Sequence, residues 1–414
     1  MTEQSPGGGS PNNITASTRF AELQVLRGYA ASMVVIVHCI AAWRPLVEND
    51  PLGRDAYDIL LIPISGRAPV ILFFVLSGFV LTHSILGTHS KRQDVITFYV
   101  RRLFRIMPMA IMGLLLMILA AEFGRRGVLN WKALPLSNFV DVSDRARIED
   151  LPGALLLWDN SVNPAYWTLH VELAGSLVMP LLVWLALLTK SERKFEILAL
   201  LVVGGLALPF VPVRPTPLSH MSSMTIFCFP LGVLAYFAFA AGFRYRAFHG
   251  CIAAVVLIFA HALIGPGTYI GSLLGNTALL EPIMGSQNNL ALYAQHLLEG
   301  LSATVLVGTL AAGGPPRFFS SGFAIFIGKI SYSLYIVHLP MLVAFIGTFY
   351  LCKADLMRLA PIFVIFTCAI VVFIASMLLS WLTYNLVEQP ANHLGKHFKR
   401  SSRRVLVGEA QPST

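Results

Sequence analysis

Ala68-Pro69-Val70-Ile71-Leu72-Phe73-Phe74-Val75-Leu76-Ser77-Gly78-Phe79-Val80-Leu81-Thr82-His83-Ser84-Ile85-Leu86-Gly87 holds no Lys, Arg, Asp or Glu. As a helix rising about 1.5 Å per residue, such a run spans roughly 30 Å, the thickness of a bilayer's hydrocarbon core. It does not alternate polar and apolar residues as a barrel strand would, so it predicts a transmembrane helix. Similar windows recur at 23–45, 104–122, 166–189, 195–212, 220–242, 248–265, 289–312, 325–351 and 359–386, which makes about ten helices with 68–87 included. The stretch 266–288, apolar from Thr268 to Leu280 but broken by Gly271 and Gly275, reads as a short re-entrant or interfacial piece.

Composition agrees. The 414 residues are 56% hydrophobic and 12% charged, whereas soluble domains carry about a quarter charged residues. The expected fold class is therefore all-α, a polytopic membrane protein. Disordered, collagen-like and disulfide-stapled secreted chains are excluded, and the five scattered cysteines form no metal-binding spacing. The net charge of +9 is a matter of topology. With the N-terminus inside, cytoplasmic segments carry 17 Lys and Arg against 6 in the short outer segments. Both termini are then cytoplasmic, as an even helix count requires, and no nucleic-acid partner is needed to explain the charge. Residues 1–20 read as a disordered tail without the features of a cleaved signal, 21–392 as the membrane domain with a long outer loop at 123–165, and 393–414 as a basic tail.

Titratable side chains inside the hydrocarbon are costly unless they face protein or water, so each is a functional candidate. Arg27 and His38 lie eleven residues apart on the first helix, which is about three turns; they share a face and are separated by roughly 16 Å along the axis. Arg27 falls at the inner boundary and His38 in the outer half. Arg27 also reads as an interfacial anchor, and His38 as a buried histidine bonded to a neighbouring helix. Arg102 and Arg105 stack at i and i+3 on the cytoplasmic boundary; they fit the positive-inside bias and equally a phosphate site with bidentate donors. Glu172, placed a turn or two below the outer surface, is expected at the depth of His38, where a carboxylate would orient the imidazole; the alternative is a hydrogen bond within a polar vestibule. Ser77, in the Ser77-Gly78 pair, reads first as helix packing, and His338 as structural or pore-lining.

Six motifs together resemble the membrane acyltransferase 3 family. They are Leu26-Arg27-Gly28 through His38, Phe73–Phe79, Arg102-x-x-Arg105 before Pro108, Tyr166-Trp167-Thr168-Leu169-x-x-Glu172, Ser331-Tyr332-x-x-Tyr335-x-x-His338, and Glu388-Gln389-Pro390, across residues 20–392. The resemblance implies an enzyme of the bacterial inner membrane that moves an acyl group, usually acetyl, from cytoplasmic acyl-CoA to a hydroxyl on a cell-surface or lipid-linked glycan. It implies a stand-alone member, without the SGNH esterase-like domain that some members carry. In this reading His38, oriented by Glu172, is the catalytic base, while Arg27, Arg102 and Arg105 hold the donor's phosphates. Ser77, Trp167 and His338 are candidates for lining the substrate path. Acyl-CoA is the donor and no metal is expected. An acyl-enzyme on His38 or a serine fits equally well, and a transporter or flippase of a lipid-linked saccharide is the competing class.

Overall fold

The computed structural model describes residues 20–42, 44–47, 51–86, 95–123, 146–156, 160–189, 193–208, 224–243, 246–265, 268–270, 272, 290–313, 317–359 and 361–397. Every regular element among them is helical. Each of the ten windows holds a helix: α1 (Ala21–Ala41), α2 (Ala68–Leu86), α3 (Val95–Phe123), α4 (Trp167–Leu188), α5 (Lys194–Ala207), α6 (Cys228–Ala240), α7 (Ala247–Ile264), α8 (Leu290–Ala312), α9 (Gly322–Leu359) and α10 (Pro361–Thr383). Eight of them are long and apolar enough to cross a membrane; α5 and α6, with 14 and 13 residues, are shorter than a full span.

The outer surface is what a bilayer requires. On α4, Leu177, Leu181, Trp184 and Leu188 form an exposed apolar stripe, while Gly175, Ser176, Met179, Leu182, Val183 and Ala186 are buried on the opposite side. In water that stripe would be a liability; in lipid it is the solvated face.

Close contacts fix the helix directions. A Cβ on Gly28 of α1 would lie 2.6 Å from the Gly328 nitrogen of α9. Ten residues further along both helices, His38 meets His338. A constant offset means that α1 and α9 run parallel. In the same way α2 runs parallel to α6, with Phe74 on Phe229 and Phe79 beside Tyr236. Helices α5 and α6 are antiparallel: Lys194 caps the Phe237 ring at one end, and Gly205 abuts Phe227 at the other. The short pair therefore runs up and back through a common depth, in keeping with the alternation of its neighbours.

Several boundaries differ from expectation. Helix α3 begins at Val95, ahead of its apolar window at 104, and carries Arg101, Arg102 and Arg105 in its opening turns, as the i and i+3 spacing of Arg102 and Arg105 requires. Helix α10 passes through a π-helical turn, Tyr384–Glu388, and continues to His397, beyond the expected domain edge at 392. Pro390 gives no amide to the Leu386 carbonyl, and the wider turn just before it absorbs that missing bond. In the outer loop, a short helix covers Leu151–Leu155. Residues 1–19, 124–145, 273–289 and 398–414, and so most of both tails, of the outer loop and of the interfacial stretch, lie outside the described residues.

Candidate active site

On the side that the Lys and Arg bias assigns to the cytoplasm, α1, α2, α3, α4, α9 and the end of α10 enclose a cavity of about 460 Å³. Six cations line it, Arg27, Arg101, Arg102, Arg105, Lys329 and Lys396, against two carboxylates, Glu172 and Glu388. Both carboxylates are engaged. Arg102 donates through Nη2 to Glu172 Oε1 at 2.8 Å and through Nε to Ser176 Oγ at 3.0 Å. Ser333 donates to Glu388 Oε2 at 2.6 Å. Arg105 lies over the Tyr332 ring, 6.0 Å from its centroid. Arg102 and Glu172 offset each other, and Arg27, Arg101, Arg105, Lys329 and Lys396 outnumber Glu388, so the wall keeps a positive excess that suits a polyphosphate.

A narrower space continues from this cavity. It shares Arg27, Ser77, Glu172 and Ser331 with it and rises between Phe73, Phe74, Thr168, Leu169 and Tyr335. The Tyr335 hydroxyl meets Thr168 Oγ1 at 2.7 Å, and its ring stands 5.6 Å from that of His338.

Beyond Tyr335 lie the two imidazoles. His338 Nδ1 is 2.6 Å from the Tyr335 carbonyl oxygen, and His38 Nδ1 is 2.8 Å from His338 Nε2, with the rings nearly parallel at 15°. A carbonyl only accepts, so His338 Nδ1 carries the proton. In the neutral pair His338 Nε2 then accepts from the N–H at His38 Nδ1. The chain assigns the lone pair of His38 to Nε2, the nitrogen that a general base uses.

Local sequence explains how these groups meet. Gly28 and Gly328 remove the side chains where α1 and α9 cross, and the shared ten-residue offset sets His38 against His338. Helix α4 starts deep in the bundle. Ala165 and Tyr166 of its lead-in Pro164–Tyr166 are buried, and Tyr166 donates to the Ala110 carbonyl midway along α3. Ala110 lies eight residues beyond Arg102, about 12 Å up the helix, and Glu172 lies six residues, about 9 Å, back down α4. That descent brings Glu172 to Arg102.

The expected depth of Glu172 is therefore corrected. It belongs to the basic cavity as the partner of Arg102, and the ring nitrogen bonded to His38 is that of His338. Arg102, expected as a phosphate ligand, spends two donors on Glu172 and Ser176. Arg27 and Arg105 line the same cavity, Ser77 lines both spaces, and Trp167 packs edge-on against Phe74 at 6.4 Å outside them. Sequence reading missed the roles of Arg101, Lys329 and Lys396 in the cavity wall. It also passed over Gln295, His296 and Glu299 on α8, whose spacing of one, three and four residues within an apolar window was a readable signal of one polar face.

No curated protein and no solved structure matches the chain. A family model described as an acyltransferase domain, that of the acyltransferase 3 family, matches residues 20–383. With a polytopic all-helical bundle and the match over most of its length, the chain belongs to the acyltransferase 3 family of membrane acyltransferases.

Proposed function

We propose that the protein transfers an acyl group, acetyl first among them, from cytoplasmic acyl-CoA to a hydroxyl of a cell-surface or lipid-linked glycan at the opposite face of a bacterial plasma membrane. The observation that carries this reading is the cation-lined cavity that narrows upward toward the Tyr335–His338–His38 chain. The nucleotide and its phosphates occupy the basic cavity, where Arg27, Arg101 and Arg105 supply charge-assisted donors. The thin pantetheine arm follows the slot between Phe73 and Tyr335, and the thioester reaches the imidazoles. Arg102, held by Glu172, braces α3 against α4 and keeps the cavity open.

His38 Nε2 removes the proton from the acceptor hydroxyl as its oxygen attacks the thioester carbon. The carbon–sulfur bond breaks, and the proton on His38 passes to the departing thiolate, giving the ester and free CoA. His338 holds the His38 tautomer in which Nε2 is the basic nitrogen. Both chain termini lie on the donor side, as the Lys and Arg distribution indicates.

The donor site is tested with Arg105→Ala in detergent-solubilised full-length protein. Acetyl-CoA binding is expected to weaken about fivefold or more and to fall with added salt, with the acceptor KM unchanged. Equal loss of donor and acceptor affinity would count against the phosphate reading.

A further inference from the structure

A second polar cluster, separate from the cavity, lies between α2 and α8. Gln295, His296 and Glu299 of α8 are buried at 3%, 1% and 0% exposure, in a helix that is otherwise apolar around them. Gln295 donates to Glu299 Oε1 at 2.8 Å. Glu299 Oε2 and His296 Nδ1 are buried without a hydrogen-bond partner. Arg67, at the start of α2, lies within electrostatic reach of both Glu299 and His296. A buried carboxylate oxygen and a buried ring nitrogen left unpaired are costly, and a structural cluster would have satisfied them.

The position is informative. Glu299 is nine residues into α8, about 13 Å along the helix from Leu290, and Arg67 reaches it from the start of α2. A Cβ on Gly66 would touch Val37 Cγ1 at 3.2 Å, so Arg67 and His38 each stand one residue from a direct contact. Their Cα atoms are no more than about 15 Å apart. Arg67 thus links the cluster to the neighbourhood of His38, and the cluster shares no lining residue with the basic cavity.

We propose that Arg67, His296 and Glu299 bind the acceptor of the transfer, a polyhydroxylated saccharide, and present one of its hydroxyls to His38. The proposal rests on the acyl-transfer reading above. Glu299 Oε2 accepts from a sugar hydroxyl, Arg67 donates to a neighbouring sugar oxygen, and His296 Nδ1 takes a third contact. One cation beside one carboxylate suits a neutral polyol, which both donates and accepts, and disfavours the polyphosphate that the cavity favours.

The test uses full-length protein in lipid nanodiscs. The donor is acetyl-CoA, and the acceptor is total surface glycan extracted from cells lacking the protein, titrated by hexose content. Glu299→Gln keeps the shape and the Gln295 contact; Arg67→Gln changes a partly exposed residue at a helix start and guards against a folding failure of the first variant. Each is expected to raise the apparent glycan KM about tenfold or more, with the acetyl-CoA KM within twofold of wild type. An unchanged glycan KM in both variants would overturn the site while leaving the acyl-transfer reading intact. A parallel rise in both KM values would assign the cluster to structure and overturn it as well. If the wild type itself acylates none of the extract, the glycan reading fails and this site fails with it.

Discussion

Gly28→Ala is a one-methyl change that should reach the active site from ten residues away. The new Cβ would lie 2.6 Å from the Gly328 nitrogen, 2.8 Å from the Ile327 carbonyl carbon and 2.9 Å from the Gly328 Cα. All three are backbone atoms, so no rotamer change relieves the clash. Restoring ordinary contact requires α1 and α9 to part by about 0.8 Å. Helix α9 has little room to retreat, because Tyr332 bonds the Ile106 carbonyl of α3 and Ile336 already fills the space over Gly113. Carried along the parallel pair, the displacement lengthens the His38–His338 contact from 2.8 Å to about 3.6 Å, past hydrogen-bonding distance. Overpacking costs about 1–3 kcal/mol, and the lost hydrogen bond adds about 1 kcal/mol. The helix-propensity gain of about 1 kcal/mol for Gly→Ala does not offset this. A displacement of nearly 1 Å at the base is worth up to about 100-fold in rate. Thermal unfolding and acyl transfer by purified protein report both effects. Gly204→Ala is the control, since nothing lies within 4 Å of its added Cβ, and it should be neutral or slightly stabilising. Wild-type melting and turnover in Gly28→Ala would refute the close parallel packing of α1 on α9.

Two further substitutions separate the roles of the buried polar groups. His338→Asn removes the acceptor that fixes the His38 tautomer, and transfer should fall on the order of 100-fold with acetyl-CoA binding unchanged; parallel loss of binding would mean a packing role instead. Glu172→Ala strands the Arg102 guanidinium, a pair now only 10% and 16% exposed, and should cost about 3–5 kcal/mol, read as a lowered melting temperature and reduced membrane level, whereas Glu172→Gln should recover part of it.

The membrane fold was legible because the bilayer sets element length, and runs such as Ala68–Leu86 announce themselves by lacking charge. Boundaries were less so. Helix α3 extends back to Val95 because its first turns are stabilised by packing of Arg102 and Phe104 against α4 and α10, contacts that no apolar window reports. The face shared by Arg27 and His38 followed from helical period alone. The partner of His38 did not, since it depends on the ten-residue offset between two helices three hundred residues apart in sequence. Glu172 lies deeper than expected because its lead-in does not sit at the surface: Tyr166 is anchored to Ala110 inside the bundle. A hydropathy profile locates helix ends relative to lipid, and a lead-in buried in protein breaks that relation.

The proposed function stands on His38 acting as the base in transfer from a thioester to a glycan hydroxyl. Mass spectrometry of surface glycans tests it most directly, in intact cells producing wild type, His38→Ala at matched membrane level, or no protein. Wild type should add an acyl increment, about 42 Da for one acetyl per modified sugar, that is absent without the protein and reduced about 100-fold or more in His38→Ala. Full acylation by His38→Ala would rule out His38 as the base.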